Sequence, residues 1–262
     1  GIKDALKEFA PFGVVVQKFF YHPKKRTSFL EKSDRALKSC PDVLLMAPVF
    51  HKESLEVFEN CQKNNVLVAL FNNNIDVLNT ENFIGQNLYQ SGRVAASLVD
   101  KMEPNDCTIA ILHIDEEAHM RQKENGFKEY FEDRKGILCP IITYSINAED
   151  LSLFKNDVFD FFEKHPKISS VFVTNSKAYL LVEALRGLDR KLSIVGYDLL
   201  RENINLLRQG EIDFLIHQKP KRQAYLGVVN LAEHFLFGKP IPSQELLPID
   251  IITSENFIYY ID

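Results

Sequence analysis

The sequence has no apolar run that approaches the roughly 18 to 20 residues that a membrane-crossing helix needs. Its first residues, GIKDALKEFAPFG, carry acidic side chains where a secretory signal would be basic and then apolar. These two absences predict a soluble protein that makes no contact with a membrane.

Cysteine is scarce, with four residues in 262, and none of them stands in a C-x-x-C pair. Scattered thiols are typical of a reducing compartment, and they give neither a zinc template nor a disulfide framework. HIDEEAH, residues 113–119, has two histidines and three carboxylates but lacks the H-E-x-x-H spacing of a zinc-binding helix. We therefore predict a cytoplasmic location and no bound metal.

The chain also lacks an excess of basic residues. Its formal net charge is -5 and its pI is near 5.9, whereas a domain that grips nucleic acid by itself carries a basic patch. Any contact with DNA is therefore expected to come from a domain other than this one.

Familiar catalytic motifs are missing as well. There is no G-x-S-x-G elbow and no Walker phosphate loop. FIGQNLYQSGRVAASL has glycines at 85 and 92, whereas a dinucleotide fingerprint needs G-x-G-x-x-G directly after a strand. We predict that the chain is not an enzyme and has no cofactor. The alternative is an enzyme built on a doubly wound sheet.

What the sequence does contain is an alternation of short apolar runs with segments of helical period. It begins with GVVVQKFFY, RTSFLEKSDRALKSC, DVLLMAPV, ESLEVFENCQKNN and VLVALF, and it resumes from TIAILHI to IDFLIHQ. Such alternation predicts parallel strands with helices on both faces of the sheet. The predicted fold class is α/β with doubly wound parallel sheets.

Two lobes are expected rather than one wide sheet, because strongly twisted open sheets of about nine strands tend to split. The asparagine-rich segment FNNNIDVLNTENF, residues 71–83, favours turns and is the predicted first crossing. The proline-rich KPIPSQELLPID indicates a return crossing. We predict an N-terminal lobe of residues 1–80 and 219–250 and a C-terminal lobe of residues 81–218 and 251–262.

Five local signatures follow one another along the chain: IGQNLYQSGRVAASL, KENGF, VFVTNSKA, IVGYD and FLIHQKPKRQAYLG. Over nearly the whole chain, their order resembles the type I periplasmic-binding-protein fold, and in particular the effector-binding region of lac-repressor-family regulators. The sequence departs from that family at three positions, where Asn87 and Ser176 replace a common Asp and Lys123 replaces the usual Arg. The resemblance implies two lobes joined by a hinge of several crossings.

The resemblance also implies three elements ahead of the helix that GIKDALKEFAPFG resembles: a helix-turn-helix domain, a hinge helix and a first strand. That first strand would be central in the sheet of the N-terminal lobe, and its loss would expose backbone groups that must be satisfied. We therefore expect either a further segment ahead of Gly1 or a first lobe that borrows a strand.

Polar residues follow most of the predicted strands, and in two parallel lobes such strand ends line a shared cleft. Asp accepts hydroxyl protons, Asn and Gln bridge a donor and an acceptor, and an aromatic ring covers the face of a sugar. This set fits a neutral polyol. A mobile positive charge on Lys123 could also bind an anion, so an acidic or phosphorylated sugar is the alternative ligand. The candidate ligand-binding residues are Phe50, Asn73, Asn87, His119, Lys123, Asn175, Asp198 and Gln218.

Several of these residues have a purely structural alternative. Asn73 can serve a turn, Asp198 can cap the helix that follows it, and Gln218 can bond the crossing backbone. The family resemblance favours a ligand role for Lys123, Asn175 and Asp198.

The function implied by the resemblance is that of a sensor in a transcriptional regulator. A small carbohydrate effector would close the lobes and so change the DNA affinity of a separate helix-turn-helix domain. The resemblance further implies a homodimer. A periplasmic sugar receptor or the sensor domain of a membrane kinase is the alternative.

Overall fold

The computed structural model describes residues 1–74, 83–102, 108–115, 117, 119–134, 139–188 and 190–261. The chain divides into two units, which we call unit 1 (Gly1–Gln86 and Lys219–Leu247) and unit 2 (Asn87–Gln218 and Pro248–Asp262). Their bounds fall after residues 86, 218 and 247, against predicted bounds after 80, 218 and 250. Most of the predicted first crossing, residues 75–82, lies outside the described residues.

The helices form where the sequence has apolar residues at helical spacing. They are α1 (Ile2–Phe9), α2 (Arg26–Lys38), α3 (His51–Lys63), α4 (Leu88–Met102), α5 (Met120–Glu132), α6 (Leu151–Lys164), α7 (Ala178–Leu185), α8 (Arg201–Gln209) and α9 (Pro220–Phe237). No helix in the described parts of the chain is long and apolar enough to cross a membrane.

The strands are short, and most coincide with the apolar runs. They are β1 (Val43–Met46), β2 (Leu67–Phe71), β3 (Phe83–Gly85), β4 (Thr108–Ile114), β5 (Ile141–Ile146), β6 (Ile168–Val173), β7 (Ser193–Tyr197), β8 (Phe214–His217), β9 (Gln244–Leu246) and β10 (Asp250–Ile252).

The sheet of unit 1 has the strand order β1-β2-β3-β9, and all its pairs are parallel. Its core is a cluster of buried apolar side chains that α2 and α3 share with β1 and β2, including Phe29, Val57 and Leu70. β9 joins β3 from a distant part of the chain, because Phe83 pairs with Gln244. Unit 1 is therefore built from two separate stretches of sequence.

The sheet of unit 2 has the order β10-β8-β7-β6-β4-β5. Its first five strands in chain order are parallel, and the edge strand β10 runs antiparallel to β8, which the sequence did not predict. Both faces of the sheet are covered, as alternate residues of β4 show. Ala110 and Leu112 join one core cluster, and Ile109 and Ile111 join the other.

One predicted strand is absent. Val14–Tyr21, from the apolar run GVVVQKFFY, has no regular secondary structure, and Val15 and Phe20 are about four-fifths exposed. The composition suits a strand, but a strand forms only beside a partner, and no described strand pairs with this segment.

Two glycines allow α4 and α5 to approach each other closely in unit 2. A Cβ atom at Gly92 would lie 1.9 Å from the carbonyl oxygen of Lys123, and one at Gly126 would lie 1.9 Å from that of Tyr89. The spacing of residues along the chain does not reveal this helix–helix contact. It matters for the site below because it sets the position of the first turn of α5.

Replacing Gly92 with Ala should destabilise the protein by about 2 kcal/mol, because the new methyl group meets backbone atoms that cannot rotate away. Urea unfolding measures this change. Gly187→Ala is the matched control, since its Cβ would meet nothing within 4 Å, and it should stay within about 0.5 kcal/mol of the parent. Equal stabilities for the two variants would contradict the close approach of the helices.

Candidate functional site

The carboxyl ends of four neighbouring strands in unit 2 carry the polar residues of interest. β8, β7, β6 and β4 lie side by side in parallel, so the segments that follow them emerge at one edge of the sheet. We call this edge the binding edge. It brings together five of the eight predicted residues: His119, Lys123, Asn175, Asp198 and Gln218.

Asp198 and Gln218 form the most specific contact at this edge. The backbone nitrogen of Gln218 donates to Oδ1 of Asp198 at 3.1 Å, and its Nε2 donates to Oδ2 at 2.7 Å. Asp198 has a positive φ of 61°, a conformation that Asp and Asn tolerate better than most residues. It does not cap the next helix, because α8 begins after Leu200.

Lys123 lies beneath this pair and is fully buried. Its ammonium donates to the carbonyl oxygen of Thr174 at 2.9 Å and to Oε1 of Gln218 at 3.4 Å, and it lies 3.6 Å from the ring centre of Tyr197. Burial lowers its pKa to about 8, although the nearby carboxylates of Asp198 and Glu117 act in the opposite direction. The expectation of a mobile charge at Lys123 is therefore wrong.

Tyr197 supports the lysine from the sheet side. It is buried, its hydroxyl shares a 2.7 Å hydrogen bond with Oγ of Ser91, and burial raises its pKa. The ring face offers the ammonium a cation–π contact, which is strongest where water is excluded. The only sign of this contact in the sequence is that Tyr197 is the last residue of the strand β7.

Asn175 is occupied by the backbone around it. Its Nδ2 donates to the carbonyl oxygen of Ile114 at 2.6 Å, and its Oδ1 accepts from the backbone nitrogen of Lys177 at 3.2 Å. Its side chain therefore ties the end of β6 to the end of β4. A direct contact between Asn175 and a ligand remains a prediction.

The loop after β4 brings further charged groups to this edge, among them two of the carboxylates of HIDEEAH. Lys177 donates to Oδ2 of Asp115 at 2.5 Å, and Oδ1 of Asp115 accepts from the backbone of Ala148. Burial raises the pKa of Glu117, and Lys177 and Lys123 oppose that effect. Lys177 is 62 residues from Asp115 in sequence, so only the fold brings it to this loop.

His119 lies beside Glu117, with 3.4 Å between Nδ1 and a carboxylate oxygen. Burial, with the charges of Lys123 and His113, lowers the pKa of His119 to about 3. The imidazole is therefore neutral at neutral pH, and its contact with Glu117 is not an ion pair. A neutral ring can both donate and accept a hydrogen bond.

A second polar network lies behind the edge, around the buried His113 of β4. Nδ1 of His113 is 2.8 Å from the hydroxyl of Thr174, and Nε2 is 2.9 Å from a carboxylate oxygen of Glu124. Burial tends to raise the pKa of Glu124, but hydrogen bonds from Lys128, Thr143 and His113 lower it to about 2. Among the described residues, no group of three or more His, Cys, Asp and Glu side chains could hold a metal ion.

The other three predicted residues are placed differently. Asn87 is exposed, and its Oδ1 accepts from the backbone nitrogen of Gln90 at the start of α4. Phe50 and Asn73 belong to unit 1. Phe50 packs edge-on against Phe29, with ring centres 5.9 Å apart, and the buried Asn73 donates to the carbonyl oxygen of Pro48 at 3.2 Å. Their ligand roles remain predictions.

Two parallel-sheet units with polar strand ends are what the type I periplasmic-binding-protein fold predicts, and comparison with known proteins confirms that fold. A family model described as periplasmic binding protein domain matches residues 1–240. The chain therefore belongs to the periplasmic binding protein domain family.

Solved structures agree with this assignment. A protein from Bacteroides fragilis, provisionally classed as a LacI transcriptional regulator, is 27% identical with a TM-score of 0.92, and the match covers 99% of this chain and 91% of that one. A solute-binding protein from Burkholderia graminis in complex with D-arabinose is 17% identical with a TM-score of 0.87. That match covers 100% of this chain and 91% of the other. At that identity the second match shows the fold alone.

A curated relative matches over a smaller part of both chains. The xylose/arabinose-binding protein XylF of Sulfolobus acidocaldarius is 22% identical over 185 residues. That alignment covers 67% of this chain but only 44% of the relative, so this chain aligns with less than half of the longer protein.

The buried lysine should make stability depend on pH in a defined window. Below pH 8 the ammonium is charged in both the folded and unfolded states, and above about 10.5 it is neutral in both. Between these values Lys123 keeps its proton in the unfolded state and has lost it in the folded state. The free energy of unfolding therefore rises with pH, by about 3 kcal/mol across the window.

Urea unfolding from pH 7.5 to 10.5 measures the effect as the difference between the parent and Lys123→Met. Other groups titrate in the same range, but they do so in both proteins. Lys101→Met is the control, because Lys101 lies exposed on α4. If the free energies of unfolding of the parent and of Lys123→Met change equally between pH 7.5 and 10.5, Lys123 does not titrate as a buried group.

Proposed function

We propose that the chain is a sugar-binding sensor and that the binding edge of unit 2 recognises the sugar. The observation that carries this proposal is the Asp198–Gln218 pair above the buried Lys123. Each carboxylate oxygen of Asp198 accepts one protein hydrogen bond and keeps further acceptor capacity, and its side chain is 20% exposed. Asp198 can therefore accept hydrogen bonds from two sugar hydroxyls.

The charges favour a neutral sugar over a sugar acid or a sugar phosphate. The ammonium of Lys123 is fully buried and engaged, and His119 is neutral. Lys177 is 28% exposed but is paired with Asp115, whereas the carboxylates of Asp198 and Glu117 are 20% and 36% exposed. An anion placed there would meet carboxylates, whereas a polyol would find partners for its hydroxyls.

The names of similar proteins support a sugar as the ligand. The curated relative is a xylose/arabinose-binding protein, one structural neighbour holds D-arabinose, and another is a glucose-galactose binding protein. We propose a neutral monosaccharide for this chain. In this proposal the protein binds the sugar without chemically changing it.

We further propose that the chain serves a transcriptional regulator, as a homodimer in the cytoplasm. The Bacteroides fragilis neighbour, with its higher identity and TM-score, supports this over a transport role. Ligand binding would change the DNA affinity of a separate domain, and DNA would change ligand affinity by the same factor.

A periplasmic receptor is the second candidate, because several structural neighbours are solute-binding proteins of transporters. The coding sequence upstream of Gly1 distinguishes the two. A helix-turn-helix domain there supports the regulator, and a signal peptide or membrane span overturns it.

A thermal-shift screen with aldoses, sugar acids and sugar phosphates tests the ligand class. A neutral sugar at 100 times its dissociation constant should stabilise the protein by about 2.7 kcal/mol. Stabilisation by anionic sugars alone would contradict the assignment of a neutral ligand.

Asp198→Asn should weaken the binding of any sugar identified in the screen at least tenfold, because an amide nitrogen replaces one acceptor oxygen. At the same sugar concentration the stabilisation should fall to about 1.4 kcal/mol. Asn is chosen because it tolerates the positive φ of this position. Asp157→Asn, on the exposed face of α6, is the control. Unchanged affinity in Asp198→Asn places the sugar elsewhere.

A further inference from the structure

Asn203 is a buried polar residue of unit 2 that takes part in none of the contacts described so far. It lies in the first turn of α8 and is fully buried. Burying an amide costs free energy unless its donors and its acceptor find partners. The side chain of Asn203 has four such partners, and all of them are backbone groups at or just beyond the ends of β6 and β7.

Two of these partners lie where β7 ends. Nδ2 of Asn203 donates to the carbonyl oxygen of Tyr197 at 3.0 Å and to that of Asp198 at 3.1 Å. The two carbonyls belong to the peptide groups on either side of the Asp198 Cα atom. Asn203 therefore restrains the backbone of Asp198 from both sides.

This restraint matters because Asp198 has an uncommon backbone conformation. Its φ of 61° lies in the left-handed region, and its own nitrogen donates to the carbonyl oxygen of Ile216 at 3.0 Å. A left-handed backbone costs free energy in a residue that has a side chain, and it persists where neighbouring contacts hold it. The backbone angles also set the direction in which a side chain leaves the chain. The contacts from Asn203 and Ile216 therefore determine where the carboxylate of Asp198 lies.

The other two partners belong to the segment after β6. Nδ2 of Asn203 also donates to the carbonyl oxygen of Ser176 at 2.9 Å, and Oδ1 accepts from the backbone nitrogen of Tyr179 at 3.0 Å. Tyr179 is in the first turn of α7, and the N-cap residue of that helix, Lys177, makes no side-chain capping bond. Asn203 thus caps α7 from another helix and joins the segments that follow two neighbouring strands.

The four contacts specify an amide at this position. The N–H of Tyr179 requires an acceptor, and the three carbonyl oxygens require a donor. An aspartate has the same shape but would turn an oxygen towards the carbonyls, and a leucine would satisfy none of the four groups. The orientation of the amide is fixed for the same reason, with Oδ1 towards α7 and Nδ2 towards the carbonyls.

We propose that Asn203 is the positioning residue of the sugar site: it holds Asp198 in the conformation that bonds Gln218 and presents the carboxylate to a sugar hydroxyl. This proposal rests on the proposed function, because it takes Asp198 as the residue that recognises the sugar. Asn203 is fully buried and its partners are backbone groups. It therefore acts on the ligand through Asp198 and does not touch the sugar.

The first test measures affinity by isothermal titration calorimetry with four neutral aldoses: D-arabinose, D-xylose, D-glucose and D-galactose. Asn203→Ala removes all four side-chain contacts. It should weaken the binding of the aldose that the parent binds best by about tenfold, because a misdirected carboxylate loses a hydrogen bond to the ligand. Asn203→Ser keeps a shorter donor and should weaken binding less. It also provides the measurement if Asn203→Ala does not fold.

Two variants on the same helix are the controls. Leu206 is buried in a core cluster of unit 2, so Leu206→Ala should lower the free energy of unfolding but change the affinity for the aldose less than twofold. Asn205 is exposed, and Asn205→Ala should change neither quantity appreciably. An affinity loss in Leu206→Ala as large as that in Asn203→Ala would overturn the proposal, because general destabilisation would then explain both.

A double-mutant cycle with Asp198→Asn separates positioning from an independent effect. If Asn203 acts through Asp198, Asn203→Ala should cost less than about threefold in affinity once Asp198→Asn is present. Full costs that multiply in the double variant would overturn the proposal. A loss of affinity in Asp198→Asn with none in Asn203→Ala would also overturn it, and would leave the proposed function intact.

Hydrogen exchange without any sugar tests the positioning itself. In Asn203→Ala the amides of Asp198 and Gln218 should exchange about tenfold faster relative to those of β4 in the same protein, because the restraint on this loop is lost. In Leu206→Ala any change should be shared with β4. If no aldose binds the parent, the proposed function fails, and exchange still decides the role of Asn203. Faster exchange at Asp198 then supports the positioning, and unchanged exchange overturns it.

Discussion

The burial of one ammonium group is the constraint on which the binding edge depends. Lys123 has lost its water, so its hydrogen-bonding protons must find partners within unit 2. The carbonyl oxygen of Thr174 and the side chains of Gln218 and Tyr197 supply them. These partners come from the ends of three different strands, and the cation therefore couples those strand ends to one another.

The same constraint explains the arrangement above the lysine. Gln218 uses its amide oxygen towards Lys123 and its amide nitrogen towards Asp198, so the lysine fixes which way the amide is turned. Asp198 then presents its remaining acceptor capacity outwards. The closely packed glycines of α4 and α5 hold the backbone from which Lys123 projects. The cation acts through its neighbours, and contacts within unit 2 hold these side chains in place.

The spacing of apolar residues along the sequence was sufficient to predict most of the helices and strands. Strands such as β4 and helices such as α6 combine a clear apolar repeat with neighbours that match it, so local pattern and tertiary structure agree. Val14–Tyr21 has an equally good pattern and no strand, because pairing is a property of two segments. The edge strands β9 and β10 have three residues each, too few for a pattern to distinguish them from the proline-rich loop around them.

The candidate site was predictable in location more than in detail. The rule that parallel strand ends share an edge is enough to bring Asp198 and Gln218 together. It could not show that Lys123 lies beneath them, that Asn175 bonds the backbone, or that Asn87 caps a helix. Those outcomes depend on burial and on the direction of each side chain. Spacing along the chain determines neither.

The two short strands β9 and β10 bear on the order in which this protein can fold. β9 pairs with β3 across about 160 residues of sequence, and β10 pairs with β8 only after the chain has passed through unit 1 again. A ribosome therefore releases neither sheet complete until β9 and β10 have emerged. Until then the open edges of β3 and β8 are available to other chains, and no single cut in the sequence separates one whole unit from the other.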